Sequence, residues 1–284
     1  MAKTAADTLI AFQGALGAYS HKACLSKFPE MDVLPCPSFE DALEAVQTGR
    51  ARLAMIPIEN STAGRVADIH LLLPGSGLNI IAEHFESIEH CLLANKDASA
   101  DSLKTVTSHV QALGQCRSTL RTMKLKPVPF ADTAGAAEHI AGLNDTSIAA
   151  VASALAAEVY DLQIIKANIQ DKGNNTTRFV VLSKDPNDVG KLTKPLMTTF
   201  TFEVKNVPAA LYKAMGGFAT NGVNMTKLES YYDSDSFTAT EFFADIEGCG
   251  TDPAVARAME ELEFHTKKIT LLGTYEQERS RTVK

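Results

Sequence analysis

The residues best equipped for chemistry stand together in Asn174-Asn175-Thr176-Thr177-Arg178, directly ahead of the apolar, β-branched run Phe179-Val180-Val181-Leu182. A donor-rich loop that meets a buried strand presents its side chains from a rigid support. Arg178 is the most informative of them. A guanidinium at the start of a buried strand needs an anion beside it, and its planar fork matches a carboxylate through two parallel hydrogen bonds. A turn followed by an arginine pointing into water fits the same letters, so the stretch alone leaves both readings open.

Three other stretches place polar groups between a strand and a helix. Leu9 to Phe12 reads as a strand, Gly14 to Ser20 as a glycine-bearing loop, and a helix follows near His21 to Phe28. Such a loop lets backbone amides approach a ligand, and the helix start favours negative charge there. Neither a third glycine nor Gly-Lys-Ser/Thr is present, which excludes the dinucleotide fingerprint and the P-loop. The apolar run Leu53 to Ile58, with Pro57 near its end, delivers Glu59-Asn60-Ser61-Thr62-Ala63-Gly64-Arg65 to a sheet's carboxyl edge, where open α/β sheets bind ligands. Asn60, Ser61 and Thr62 suit substrate hydrogen bonds and equally suit capping a helix near Val66 to Leu73. Thr105 to Ser108 runs into His109 and a helix expected from Gln111 to Met123, so Ser108, His109 and Gln111 repeat the arrangement.

The elements that must hold these groups follow from pattern. Ser38 with Asp41 forms a capping box, and Phe39, Ala42, Leu43 and Val46 make one apolar helical face. Leu78 to Phe85 and Glu89 to Ala94 read as strands joined around Ser87, the crossing into a second lobe. Lys126 to Phe130 is a strand, Asp132 or Thr133 caps a helix through Ala141, Ser147 to Val151 is a strand, and Ser153 to Val159 a helix. This alternation predicts two small α/β lobes around a cleft, with Val180-Val181-Leu182 returning to the first lobe. The two-lobed part covers residues 1–190, its second lobe about 87–177. A new α+β domain, 197–278, follows a turn-rich link. Its strand near Met197 to Val204, helix around Leu211 to Ala219, strands Met225 to Tyr232 and Phe237 to Ile246, helix Pro253 to His265 and strand Ile269 to Tyr275 give a βαββαβ order.

Composition narrows the function. A chain of 284 residues has room for two or three domains, and no run approaches the ~20 apolar residues of a membrane span. The first residues lead straight into a strand without a basic and apolar leader, so a cytoplasmic location is expected. Five cysteines are scattered, and His84, His90 and His109 match no metal-ligand spacing; reduced thiols and no metal or other cofactor are expected. A net charge of −7 without a basic run argues against nucleic acid.

Taken in order, Gly14 to Ser20, Ile56-Pro57-Ile58-Glu59-Asn60-Ser61 with Gly64, His90-Cys91-Leu92, Ser108-His109 with Gln111-Ala112-Leu113, and Asn175 with Thr177-Arg178-Phe179 resemble the prephenate dehydratase family. Val110 departs from it, standing where the family usually has proline. The resemblance implies a periplasmic-binding-protein-like pair of lobes that takes carbon dioxide and water from prephenate to give phenylpyruvate. Aromatisation drives that reaction, so no cofactor is required. It assigns the essential threonine to Thr177, which reads as a hydrogen-bond donor to the leaving oxygen because an alcohol is too weak an acid to ionise. Arg178 or helix-start amides are expected at a substrate carboxylate. Asn60, Ser61 and Ser108 are expected as catalytic polar groups, and Ser20, Gln111, Asn175, Thr176 and Phe179 as substrate contacts. Glu59 reads either as an acid or as an ion-paired structural carboxylate.

The last third resembles an ACT regulatory domain in Asn206-Val207-Pro208-Ala209-Ala210-Leu211 and Leu228-Glu229-Ser230. That resemblance implies phenylalanine as effector, with those residues about it, and a homodimer or homotetramer. Ala209 stands where glycine is usual, and Tyr231-Tyr232 where Arg-Pro is usual. Arogenate dehydratase and a cytoplasmic amino-acid sensor without chemistry are the rival readings.

Overall fold

The computed structural model describes residues 5–193, 195–232 and 239–281. The chain opens with β1 (Leu9–Gln13), α1 (Tyr19–Lys27), β2 (Asp32–Cys36), α2 (Phe39–Gln47), β3 (Leu53–Asn60), β4 (Gly64–Arg65), α3 (Ala67–Leu72) and β5 (Asn79–Ser87). The Ser38 hydroxyl accepts from the Asp41 amide at 3.1 Å and starts α2 as the sequence predicts. β1 pairs in parallel with both β2 and β3, and the fully buried Ile10, Ala11 and Phe12 make it a central strand.

The second lobe follows with β6 (Cys91–Ala94), β7 (Thr105–Ser108), α4 (Val110–Gln115), α5 (Arg117–Thr122), β8 (Lys126–Pro129), α6 (Thr133–Leu143), β9 (Ile148–Ala152), α7 (Ala154–Val159) and β10 (Gln163–Lys166). These strands form a sheet in the order β10-β6-β9-β7-β8. Alternate residues of β6 and β9 feed two cores: Leu92, Ala94, Ala149 and Val151 enter one, Cys91, Leu93, Ala150 and Ala152 the other. β8 is exposed along its length and carries Pro127 and Pro129, which an edge strand tolerates. The single helix expected from Gln111 to Met123 is instead two, divided at Cys116, whose φ of −111° and ψ of 12° turn the chain. The turn brings Leu113 and Leu120 into one core around the fully buried Cys116.

β11 (Thr176–Ser183) then joins the first sheet between β3 and β5, giving β2-β1-β3-β11-β5 with β4 beside β3. The expected return of the Val180 to Leu182 strand is thus what occurs. β12 (Leu196–Val204), α8 (Ala210–Thr220), β13 (Met225–Tyr232), β14 (Ala239–Glu247), α9 (Pro253–His265) and β15 (Thr266–Glu276) complete the chain. They build an antiparallel sheet, β13-β14-β12-β15, in the expected βαββαβ order. Phe200, Phe202 and Val204 face α8 and α9 from β12. The expected start of the third of these strands at Phe237 lies outside the described residues. Two compact units result: Met1–Ile69 with His84–Phe179, and His70–Glu83 with Val180–Lys284. Among the described residues no helix is long and apolar enough to cross a membrane.

Candidate active site

Within the first unit a cleft of about 540 Å³ opens between the carboxyl edge of the first sheet and the helix starts of the second lobe. β3 brings Asn60 to its wall, β11 brings Thr177 and Phe179, and the start of α1 brings Tyr19 and Ser20. From the second lobe come Gln111 and Gln115 on α4, with His90 just ahead of β6. The glycine loop before α1 is held by the other lobe. Ser153 donates to the Gly17 carbonyl at 2.6 Å, and Tyr160 to that of Leu16 at 2.9 Å. A Cβ on Gly17 would meet the Ala156 backbone at 2.7 Å, so only glycine permits this approach.

Hydrogen bonds fix the direction of the wall's dipoles. The backbone amides of Thr62 and Ala63 donate to the Asn60 side-chain oxygen at 2.9 and 2.8 Å, which leaves its NH₂ pointing the other way. That NH₂ donates to Asn175 Oδ1 at 2.7 Å and to Thr177 Oγ1 at 2.9 Å. Thr177 therefore accepts from Asn60, and its own proton has no acceptor among the described residues. The hydroxyl is a donor available to the cleft. Phe179, 1 % exposed, supplies an apolar surface next to it.

Several expected site residues serve the frame instead. Arg178 does not line the cleft: it is 2 % exposed and donates to Glu59 Oε1 at 2.9 Å, an ion pair joining β11 to β3. Burial of a guanidinium against a carboxylate satisfies the need that the sequence had assigned to substrate. Ser61 bonds the Asn174 carbonyl at 2.8 Å and receives the Thr176 amide at 3.0 Å, so Ser61 and Thr176 pin the loop after β3 to β11 rather than facing the cleft. Ser108 is fully buried and donates to the Val151 carbonyl at 2.6 Å, tying β7 to β9. Ser20, Asn60, Gln111, Asn175, Thr177 and Phe179 do line the cleft. Arg65, read in the sequence only as part of a loop, is the one lysine or arginine on that lining among the described residues. Tyr19 and Gln115 were likewise not singled out, and His90 was read only in a family motif and as a histidine without metal-ligand spacing.

The buried groups about the cleft are held neutral. Burial, with smaller contributions from Cys91, Cys116 and Glu89, pushes the Tyr19 phenol well above its ordinary value. Burial also lowers His90, against a smaller opposing effect of its hydrogen bond with Gln115. No group of three or more His, Cys, Asp or Glu placed to hold a metal exists among the described residues.

In the second unit Asn206, Val207 and Ala209 are exposed ahead of α8, with Ala210 buried and Leu211 half-buried in its first turn. Ala209 has φ 61° and ψ 23°, the left-handed conformation that glycine adopts without strain. Glu229, on β13, lies 3.5 Å from the Lys227 ammonium, and Ser230 is exposed.

Fold and cleft together define a two-lobed α/β protein that receives a small polar ligand between its lobes, followed by a βαββαβ domain. The chain belongs to the prephenate dehydratase family, whose model matches residues 10–187. A Komagataeibacter europaeus protein named bifunctional N-acyl-homoserine lactone acylase/prephenate dehydratase is 46% identical over 95% of this chain and 96% of its own. The Arabidopsis thaliana arogenate dehydratase/prephenate dehydratase 2 is 36% identical, across 94% of this chain and 72% of its own. Among solved structures, GqqA, described as a novel type of quorum-quenching acylase, superposes with TM-score 0.87 at 47% identity, covering 94% of this chain and 97% of that one. The prephenate dehydratase of Arthrobacter aurescens in complex with L-Phe gives 0.85 at 28% identity, covering 95% and 90%. The two-lobed part has the periplasmic-binding-protein-like fold of these dehydratases, and the C-terminal sheet fits an ACT-like domain.

Proposed function

We propose that this protein converts prephenate to phenylpyruvate by coupled decarboxylation and loss of the ring hydroxyl. The observation that carries the reading is the Asn60 to Thr177 hydrogen bond, which leaves the threonine proton directed to substrate. As the bond from the ring to its carboxylate breaks, that electron pair enters the ring and the opposite carbon–oxygen bond departs with its own pair. The departing oxygen gathers negative charge, and a pre-aimed donor stabilises it without the reorganisation that water would need. Thr177 supplies the hydrogen bond, and the proton that completes water comes from solvent. Arg65 at the cleft lining and the first amides of α1 are suited to the substrate's carboxylates, Phe179 to its ring. Buried in its ion pair with Glu59, Arg178 holds the strand that carries Thr177 in register.

Phenylalanine is the proposed effector, acting through the C-terminal domain of a homodimer or homotetramer; the Arthrobacter aurescens complex with L-Phe supports the ligand. Arogenate, which carries an amino group in place of the side-chain keto oxygen, is the second substrate to weigh, since the Arabidopsis relative is named for both. Acylase activity is named for the Komagataeibacter protein and is tested beside it. Purified protein is to be given prephenate, arogenate and an N-acyl-homoserine lactone in turn, following phenylpyruvate, phenylalanine and free homoserine lactone. Saturable phenylpyruvate release is expected; no release from prephenate would contradict the proposal.

A further inference from the structure

We infer that the fixed Asn60 amide sets the direction of a hydrogen-bond chain through Asn175 and Gln115 that holds His90 in the tautomer carrying its proton on Nε2. Gln115 and His90 are positioning residues which keep Asn175 and Asn60 in place beside Thr177. The inference rests on the reading that Thr177 donates to substrate. Asn60 cannot turn over, because two backbone amides hold its oxygen. Its NH₂ therefore faces Asn175 Oδ1, and the Asn175 NH₂ must face Gln115 Oε1, 3.0 Å away. His90 Nε2 lies 2.8 Å from that same oxygen. A carbonyl oxygen only accepts, so the imidazole nitrogen must be the donor.

Neutral His90 then has a bare Nδ1, and the Tyr19 hydroxyl 2.8 Å from it is the donor that satisfies it. The Glu89 carbonyl, 2.9 Å from the same hydroxyl, is the alternative acceptor. Were Nδ1 protonated as well, Tyr19 would turn its proton to that carbonyl, and the bond from Nε2 to Gln115 would stand unchanged.

The opposite tautomer fails in every arrangement. It sets a bare Nε2 against Gln115 Oε1; turning the Gln115 amide puts its NH₂ against that of Asn175, and turning Asn175 puts its NH₂ against that of the immobile Asn60. One bond is lost somewhere along the chain, leaving a buried polar group without its partner. Gln115 also donates to Thr62 Oγ1 at 2.9 Å, so the chain joins α4 of one lobe to the loop after β3 of the other. The sense of the Asn60 to Thr177 bond is set by the Thr62 and Ala63 amides, and the chain carries it across to the second lobe.

Long-range proton–nitrogen correlation spectra of ¹⁵N-labelled protein test the tautomer directly, with His90→Gln used to assign the signal. An Nε2–H pattern is expected, and an Nδ1–H pattern overturns the inference whatever the protein's activity. Steady-state kinetics on prephenate supply the second arm. His90→Gln keeps a donor near the Nε2 position and should hold kcat within about threefold, whereas His90→Met should lower kcat roughly tenfold with KM nearly constant. Equal kcat for the two variants, or a loss expressed only in KM, would overturn it. A wild-type protein inert to prephenate would defeat the proposed reaction while leaving the spectrum to decide the tautomer.

Discussion

A single amide sets the direction of the hydroxyl that matters most. Asn60→Asp replaces the NH₂ facing Thr177 by an oxygen, so Thr177 would spend its proton on that oxygen rather than on substrate. The expected result is a fall in kcat of ~10²–10³-fold with little change in KM, the size seen when an aimed donor is removed. Arg65→Met is expected to act the other way, raising KM roughly tenfold and sparing kcat, because a carboxylate contact made equally in ground and transition states is uniform binding. Steady-state kinetics on both variants separate the two roles. At this scale the sequence already grouped Thr177, Asn60 and Asn175 as polar residues of one wall, and all three line the cleft. It was misleading for Arg178, because the carboxylate that neutralises it, Glu59, sits 119 positions away in the chain and only the pairing of β11 beside β3 joins them. Gln115 was hidden for a related reason: within one continuous helix nothing marks it, and the break at Cys116 that places it at the end of α4 comes from burying Leu113 and Leu120 together.

Among the elements, boundaries followed local chemistry where a side chain made the cap. Ser38, Asp132 and Ser153 each accept an amide of the first turn of α2, α6 and α7; α2 starts as its capping box predicts, Asp132 is the cap of the two residues read for α6, and α7 starts one residue after Ser153, which serves as its cap. Short strands made of exposed residues escaped notice: β4 is Gly64–Arg65, with no apolar alternation to reveal it, yet its pairing with Glu59 and Asn60 carries Arg65 to the cleft. α8 begins under strain. Ala209 holds a left-handed conformation that costs an L-residue about 1–2 kcal/mol relative to glycine's freedom. Ala209→Gly is therefore expected to stabilise the protein by ~1 kcal/mol, less the extra entropy of the unfolded glycine, and to raise Tm by roughly 2–4 °C. Thermal unfolding of the two proteins checks it; a lower Tm for the glycine variant would contradict the strain.

At the scale of the whole molecule, Glu86 contributes a share of stability that depends on pH. Burial alone would push its carboxyl up, but hydrogen bonds from His84, Lys22 and Ser26 and the charge of Lys22 outweigh burial and hold it at about 2. The folded value lies below the unfolded one, so the contribution is fully present above the usual carboxylate range and is lost as pH falls through about 2. Glu86→Gln is expected to lose roughly 2–3 kcal/mol at neutral pH, with the gap to the parent protein closing in acid. Urea midpoints across that range test the sign, and a gap that widens on acidification would refute it.

The two-lobed arrangement, the βαββαβ domain and the cleft at the sheet's carboxyl edge were all readable from alternation and motif order, since each depends on local pattern repeated along the chain. What joins the lobes was not, since Gln115 to Thr62 and Ser153 to Gly17 are contacts between distant segments. All of it bears on one hydroxyl. Phenylpyruvate release from prephenate should be compared among the parent protein, Thr177→Ser and Thr177→Val, with circular dichroism confirming that each is folded. The serine variant is expected to keep kcat within about tenfold and the isosteric valine to lose at least ~10²-fold; a folded valine variant that turns prephenate over at the parent's rate would contradict the mechanism.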